Sequence, residues 1–227
     1  MAYPPKLLND DGTASIATAL MLSHHGFRRD LARFALALDR VAAGDGSKID
    51  ALRGEWQSFH LTLHGHHDAE DKGVFPAIAA AHESARATIE GLSADHRRID
   101  PLLERGQAAF LELPKVDAAS AVVSVLQALL EPHLATEERE LIPFLRELKS
   151  FPPPPSDEVA ALYAEGFAWS MQGVAPEVIE KLSALLPEDL LARLPAARAA
   201  FEARCQRVWG SCRAGSTRTP IPDGIGG

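Results

Sequence analysis

Apolar residues recur at intervals of three and four along most of the chain, the period of helices that bury one face. Ile16, Leu20, Ser23/His24, Phe27, Leu31, Phe34 and Leu38 form the first stripe and predict a helix from about Thr13 to Ala43. Gly44-Asp45-Gly46 ends it, and Ser47-x-x-Asp50 has the form of a capping box that opens the next. Leu52, Trp56, Phe59 and Leu63 carry a second stripe, in a helix expected from about Lys48 to Ala81 with a kink at Pro76. A third helix, from about Ala85 to Leu113, turns Leu92, His96, Ile99, Leu103 and Phe110 inward. A fourth, from about Asp117 to Lys149, has Leu126 and Leu129 on its stripe and Pro132 and Pro143 as irregularities. Four long amphipathic segments with short connections predict an all-α protein, an up-down-up-down four-helix bundle over residues 1–149.

After the bundle the pattern changes. Residues 150–156, Ser-Phe-Pro-Pro-Pro-Pro-Ser, read as a stiff linker that cannot be helical. Residues 157–209 read as a helical appendage in three pieces. It is expected to pack on the bundle, because Leu162, Phe167, Leu182, Leu185, Leu190, Leu194 and Phe201 need a surface to bury, and Tyr163 and Trp169 read as packing residues. The basic amphipathic stretch 190–209 reads as a helix docked on a neighbour. Residues 210–227 read as a flexible tail, and residues 1–12 as a polar lead.

Chemistry enters where the stripes stop being apolar. Continuing Leu52, Trp56, Phe59 and Leu63 by the same steps reaches His66 and then Glu70, one turn apart on the buried face. The fourth helix repeats this: Leu126 and Leu129 lead to His133 and Glu137. Each His is followed ten residues later by a proline, Pro76 and Pro143, and Glu70-Asp71 stands against Glu137-Glu138. His24 and His96 fall on the inward stripes of the other two helices. A buried carboxylate is costly unless a positive charge pairs with it, and a metal ion serves that purpose. Imidazole and carboxylate donors without thiolate suit iron, manganese or zinc. His24, His66, Glu70, His96, His133 and Glu137 are therefore the candidate metal ligands. His25, His60, His64, His67 and His82 are set aside as non-ligands; His60, His64, His67 and Asp71 form a line of their own along the second helix, read as a face that is solvated or supports the site, with a metal entry route as the alternative. Asp71 and Glu138 are placed beside the site.

Charge and composition narrow the partners. A net charge of -8 argues against a nucleic-acid partner. No apolar run reaches the roughly 18 residues of a membrane span, and the N-terminal residues lack a signal-peptide core, so a cytoplasmic protein is expected. Cys205 and Cys212 form no CxxC and are read as reduced thiols, with a disulfide between them as the alternative.

The order His24, His66-x3-Glu70, His96, His133-x3-Glu137, with the strings HHGFRRDL, HHDAEDKGVFP, DHRRIDPLL and HLATEERELIP, resembles the hemerythrin-like (HHE cation-binding) family over residues 13–149. The resemblance implies a centre of two iron ions bridged by Glu70 and Glu137, with the four imidazoles divided two and two and a bridging oxo or hydroxo group. Six-coordinate ions would then keep about one open position each for O2, peroxide or NO. Oxygen-carrying hemerythrins have a further His one turn after the third-helix His, where this chain has Asp100. The four-His, two-Glu set is more similar to a branch that includes iron–sulfur repair and peroxide-decomposing proteins. The expected function is accordingly catalase-like decomposition of hydrogen peroxide. The alternative is a module that senses, binds or stores O2, NO or iron without turnover.

Overall fold

The computed structural model describes residues 6–151 and 153–210, so the reading of Cys212 and of the tail beyond Gly210 concerns residues outside the described ones. Among the described residues the chain is all-helical and has no strand. The helices are α1 (Ile16–Ala42), α2 (Ile49–Ala69), α3 (Phe75–Ala81), α4 (Arg86–Leu111), α5 (Asp117–Glu140), α6 (Ile142–Leu145), α7 (Asp157–Ser170), α8 (Pro176–Ser183) and α9 (Glu188–Val208). The four long helices α1, α2, α4 and α5 form the bundle: α1 packs on α2 and α5, and α4 packs on the same two.

Some helix ends depart from the sequence expectation for local reasons, while the ends of α4 and the start of α5 fall close to it. The capping box expected at Ser47 does not form, because the Ser47 hydroxyl donates to Asp45 Oδ1 (2.6 Å) and its N–H donates to the same atom (3.1 Å). The helix starts at Ile49 instead. At the start of α1, by contrast, the Ser15 N–H donates to Thr18 Oγ1 (3.1 Å), whose hydroxyl donates to the Leu7 carbonyl (2.8 Å). That contact also ties down the lead: Leu7 is buried, and Arg146 donates to the Lys6 carbonyl (2.7 Å). Pro76 produces no simple kink. The wider π-helical turn Glu70–Val74 precedes it, in which the Phe75 N–H reaches back five residues to the Glu70 carbonyl. The fourth helix stops at Glu140 rather than Lys149 and resumes as α6, with Pro143 in its first turn.

α5 alone among the described helices is long and apolar enough to cross a membrane by length and composition. The sequence expectation of no such stretch counted unbroken apolar runs. Polar residues interrupt α5, yet its mean hydropathy still reaches the level of a span. In this fold its apolar stripe, Val122, Val123, Leu126, Leu130 and Leu134, is buried in the bundle.

Two apolar clusters fill the core, with the polar candidate residues between them. One holds Phe27, Phe34, Trp56, Leu63, Ile99, Phe110 and Leu130, and the other Leu22, Phe75, Leu92, Leu141 and Ile142. In the first, the Trp56 ring stacks on Phe110 (centroids 4.4 Å apart, planes 16° apart). A Cβ on Gly106 of α4 would lie only 1.9 Å from that indole, so the tryptophan fits because residue 106 has no side chain.

The same device seats α7 on the bundle. A Cβ on Gly26 of α1 would come within 2.5 Å of the Trp169 ring. Trp169 donates its indole N–H to the buried Asp30 carboxylate (2.6 Å), and Arg29, itself bonded to Asp30, donates to the Trp169 carbonyl (2.9 Å). α9 packs on α7 and reaches α2, bringing Phe201, Cys205 and Trp209 into the first apolar cluster. Leu182, Leu190 and Leu194 join the second. Leu162 and Tyr163, expected to pack, face solvent instead, since α7 turns its alanines Ala160, Ala164 and Ala168 inward.

Candidate metal centre

Each long helix delivers donors to one layer of the bundle. His24 comes from α1, His66 and His67 from α2, His96 from α4, and His133 and Glu137 from α5, while Glu70 opens the π-helical turn. The donor atoms fall into two groups. In one, those of His67, His96 and His133 lie within 4.8 Å of one another; in the other, so do those of His24, His66, Glu70 and Glu137. Glu70 links the two, with Oε1 3.0 Å from His66 Nε2 and Oε2 3.5 Å from His96 Nε2. Glu137 Oε2 lies between His24 Nε2 (3.4 Å) and His133 Nε2 (3.9 Å).

These atoms have no partner of their own. The Nε2 atoms of all five imidazoles and both oxygens of Glu70 and Glu137 are buried without a hydrogen bond. Native proteins rarely leave buried polar atoms unsatisfied, so nine such atoms aimed at one another mark a place built for a further group. Imidazole nitrogen and carboxylate oxygen are donors for iron, manganese or zinc.

The other ring nitrogens show how the Nε2 atoms are aimed. Nδ1 of His24 meets Glu138 Oε1 (2.9 Å), that of His96 meets Asp71 Oδ2 (2.9 Å), and that of His67 meets Asp100 Oδ1 (2.7 Å). Nδ1 of His133 has no such hydrogen bond, Asp95 standing 3.8 Å away. A carboxylate on Nδ1 holds the proton there and leaves the Nε2 lone pair free, the usual support for a metal-binding histidine. Glu138 is anchored by Arg28 (2.6 Å) and Asp71 by the Ser93 hydroxyl (2.6 Å).

Burial sets the electrostatics. It lowers His66 to about 3 and also lowers His67, His96 and His133, so these rings are neutral and able to donate a lone pair. Burial raises Glu70 to about 8 and raises Glu137, to which the neighbouring Glu70 adds. Two inner carboxyls that resist ionising together are what added positive charge would relieve. Burial would raise Glu138 too, but His24 and Arg28 outweigh it and bring it to about 2, so the supporting carboxylate stays ionised.

The structure brings together all six residues singled out in the sequence, and it adds a seventh. His67, set aside as a non-ligand, is 1% exposed and stacks on the His96 ring (centroids 4.0 Å apart, planes 14° apart). A helix in a four-helix bundle faces two neighbours, so its inward arc can hold two adjacent residues. His66 turns toward α1, against His24 and Phe27, and His67 turns toward α4. The signal for it was Asp100, a carboxylate one turn from His96 that needs a partner. His60 and His64 do lie on the outer face, beside Glu104 and Asp100. His82 stacks on Phe144, and His25 is buried against the chain after α7.

A helical bundle whose long helices converge imidazole and carboxylate donors in one buried layer defines a metal-binding bundle protein. The family model of the hemerythrin HHE cation binding domain matches residues 15–145, and the chain belongs to that family. No curated protein and no solved structure matches the chain significantly.

Proposed function

We propose that the chain is a non-haem diiron protein that takes up a small oxygen or nitrogen ligand, O2, peroxide or NO, on the two-imidazole side of its centre. One observation carries this reading: the unpartnered donors divide unequally, three imidazoles against two, with Glu70 and Glu137 between them. His67, His96 and His133 would hold one ion and His24 and His66 the other, with the two glutamates shared. Two iron ions there would supply redox-active binding of a small ligand. An ion on the side with fewer imidazoles would have one protein donor fewer than its neighbour and would leave room for an incoming ligand.

The chain's own residues prepare that side. Phe27 packs its ring 5.0 Å from His66 and limits water at the imidazole. Glu138 and Arg28 fix the orientation of His24. The expectation of peroxide decomposition rests on about one open position at each of two ions. With His67 facing the centre that ground is lost, and binding, sensing or storage of the ligand is the better supported function. Metal analysis and visible spectra of the purified protein test this. About two irons per chain are expected, with a spectrum that changes on adding O2 or NO to the reduced protein and returns when the gas is removed. Sustained O2 release from hydrogen peroxide, with no stable adduct, would reverse the choice.

A further inference from the structure

We propose that His60, His64 and Glu104 form a second, outer site for a divalent transition-metal ion, joined to the buried centre through Asp100. His60 and His64 are one turn apart on α2, on the face turned to α4. Their rings lie edge to face, with centroids 6.5 Å apart. Opposite them Asp100 and Glu104 are one turn apart on α4. His60 Nε2 is 3.5 Å from Glu104 Oε1, and His64 Nδ1 is 3.2 Å from Asp100 Oδ2. The side chains of His64 and Glu104 are 51% and 75% exposed and that of His60 is 15% exposed, so an ion reaches the cluster from the His64 and Glu104 side.

Asp100 gives the cluster its direction. Its Oδ2 holds His64 by Nδ1 while its Oδ1 holds His67 by Nδ1. One aspartate thus keeps two imidazoles in the same tautomer, one inside the bundle and one outside, each with its Nε2 lone pair free. A surface His–carboxylate pair has no need of that. His60 Nε2 already faces Glu104, while the His64 donors stand apart from those two in this structure; a turn of the half-exposed His64 ring toward them would complete a donor set for Zn2+, Fe2+ or Co2+ rather than for Ca2+ or Mg2+. Its place beside His67 makes the outer site a capture point for ions entering the centre. The capture role rests on reading the centre as a metal site, whereas the existence of the outer site does not.

The test uses Zn2+ as probe on the full-length, iron-loaded protein, with both metals counted after equilibrium dialysis. One zinc is expected per chain in addition to the iron. In the double variant His60→Gln/His64→Gln that zinc should bind about tenfold more weakly or worse, while iron content, visible spectrum and thermal melt stay unchanged. In a second arm the metal-free protein is loaded with Fe2+, and the double variant should fill severalfold more slowly to the same final content. Wild-type protein that takes up no additional zinc, or a double variant that takes up as much, would overturn the outer site. Equal loading rates would overturn the capture role alone. If the protein holds no iron at all, the zinc difference between wild type and variant still decides the outer site, and only the reading of the centre falls.

Discussion

The first half of the bundle, α1 and α2, and the second, α4 and α5, carry the same donors in the same order, but they are not equivalent. His24 and His96 correspond, as do His66 and His133, and Glu70 and Glu137. The supporting carboxylates cross over: Asp71 of the first half holds His96, and Glu138 of the second holds His24. In what they bring to the donor set, the halves part at two positions. After His66 comes His67, but after His133 comes Leu134, and both are buried. One turn after His24 stands Arg28, but one turn after His96 stands Asp100. The two differences belong together. Asp100 accepts from His67 and so makes a third imidazole usable, whereas Arg28 binds Glu138 and Glu131 and contributes no donor. A near-symmetric pair of helix hairpins becomes a three-against-two centre through one residue and its partner.

The largest effect should come from removing what the halves share. Glu137→Ala takes away a carboxylate placed between His24 and His133 and leaves their Nε2 atoms aimed at a void. Iron content is expected to fall from about two per chain to less than one, with a lower melting temperature because metal binding stabilises the fold. Full occupancy in this variant, measured by elemental analysis, would refute the shared role of Glu137.

The next variant erases the difference itself. His67→Leu copies Leu134 of the other half. One iron should be lost and the one on the His24–His66 side kept. The metal-free fold should change by no more than about 1 kcal/mol, since leucine is apolar and of similar size and Asp100 retains His64. Two irons retained in His67→Leu would return the centre to four imidazoles, and with it the case for peroxide turnover.

Much of this site was legible in the sequence because helical period and burial coincide. His24, His66, Glu70, His96, His133 and Glu137 all continue apolar stripes, and the repeated spacing to Pro76 and Pro143 set them in register. His67 was not legible, since a single stripe about 100° wide represents a helix with one neighbour and α2 has two. The four long helices were legible for the same reason as the ligands. Several of their ends were legible as well, such as the start of α5 at Asp117; others were not, because short-range hydrogen bonds decide them, as Asp45 does by taking Ser47 from its cap. The seat of Trp169 at Gly26 was hidden as well, because a glycine inside a helix shows no period.

A smaller effect should follow from Asp100→Asn, which keeps the shape of the support while removing its charge. His67 would lose the charged acceptor that fixes its tautomer and keep at most the weaker amide oxygen. Iron affinity on the three-imidazole side is expected to weaken about 10- to 100-fold, with the other side unaffected. Chelator competition on the loaded protein, following both irons separately, measures this. Equal weakening on both sides would mean that the halves are coupled more tightly than their geometry indicates.

The smallest effect concerns a position outside the donor set where the halves again differ. The residue after His24 is His25, 2% exposed; the residue after His96 is Arg97, exposed to solvent. His25 is buried because α7 covers α1 through Trp169 and Gly26, and its Nε2 lies 3.2 Å from the Gln172 carbonyl, to which the neutral ring donates. Burial, together with the neighbouring Arg29, lowers His25 to about 4. Its folded pKa is thus below its unfolded value of about 6.5, so the stability it contributes is complete above about 6.5 and is lost as pH falls toward about 4. The loss is at most about 3 kcal/mol. His25→Gln can still donate to Gln172 but cannot titrate, and should show a shallower fall in unfolding free energy between pH 7 and pH 5 than wild type. Urea unfolding of both proteins in the metal-free state keeps the titration of the centre as a common background. Parallel curves across that range would show that α7 does not hold His25 neutral, and that its burial against the bundle is looser than the Trp169 contact implies.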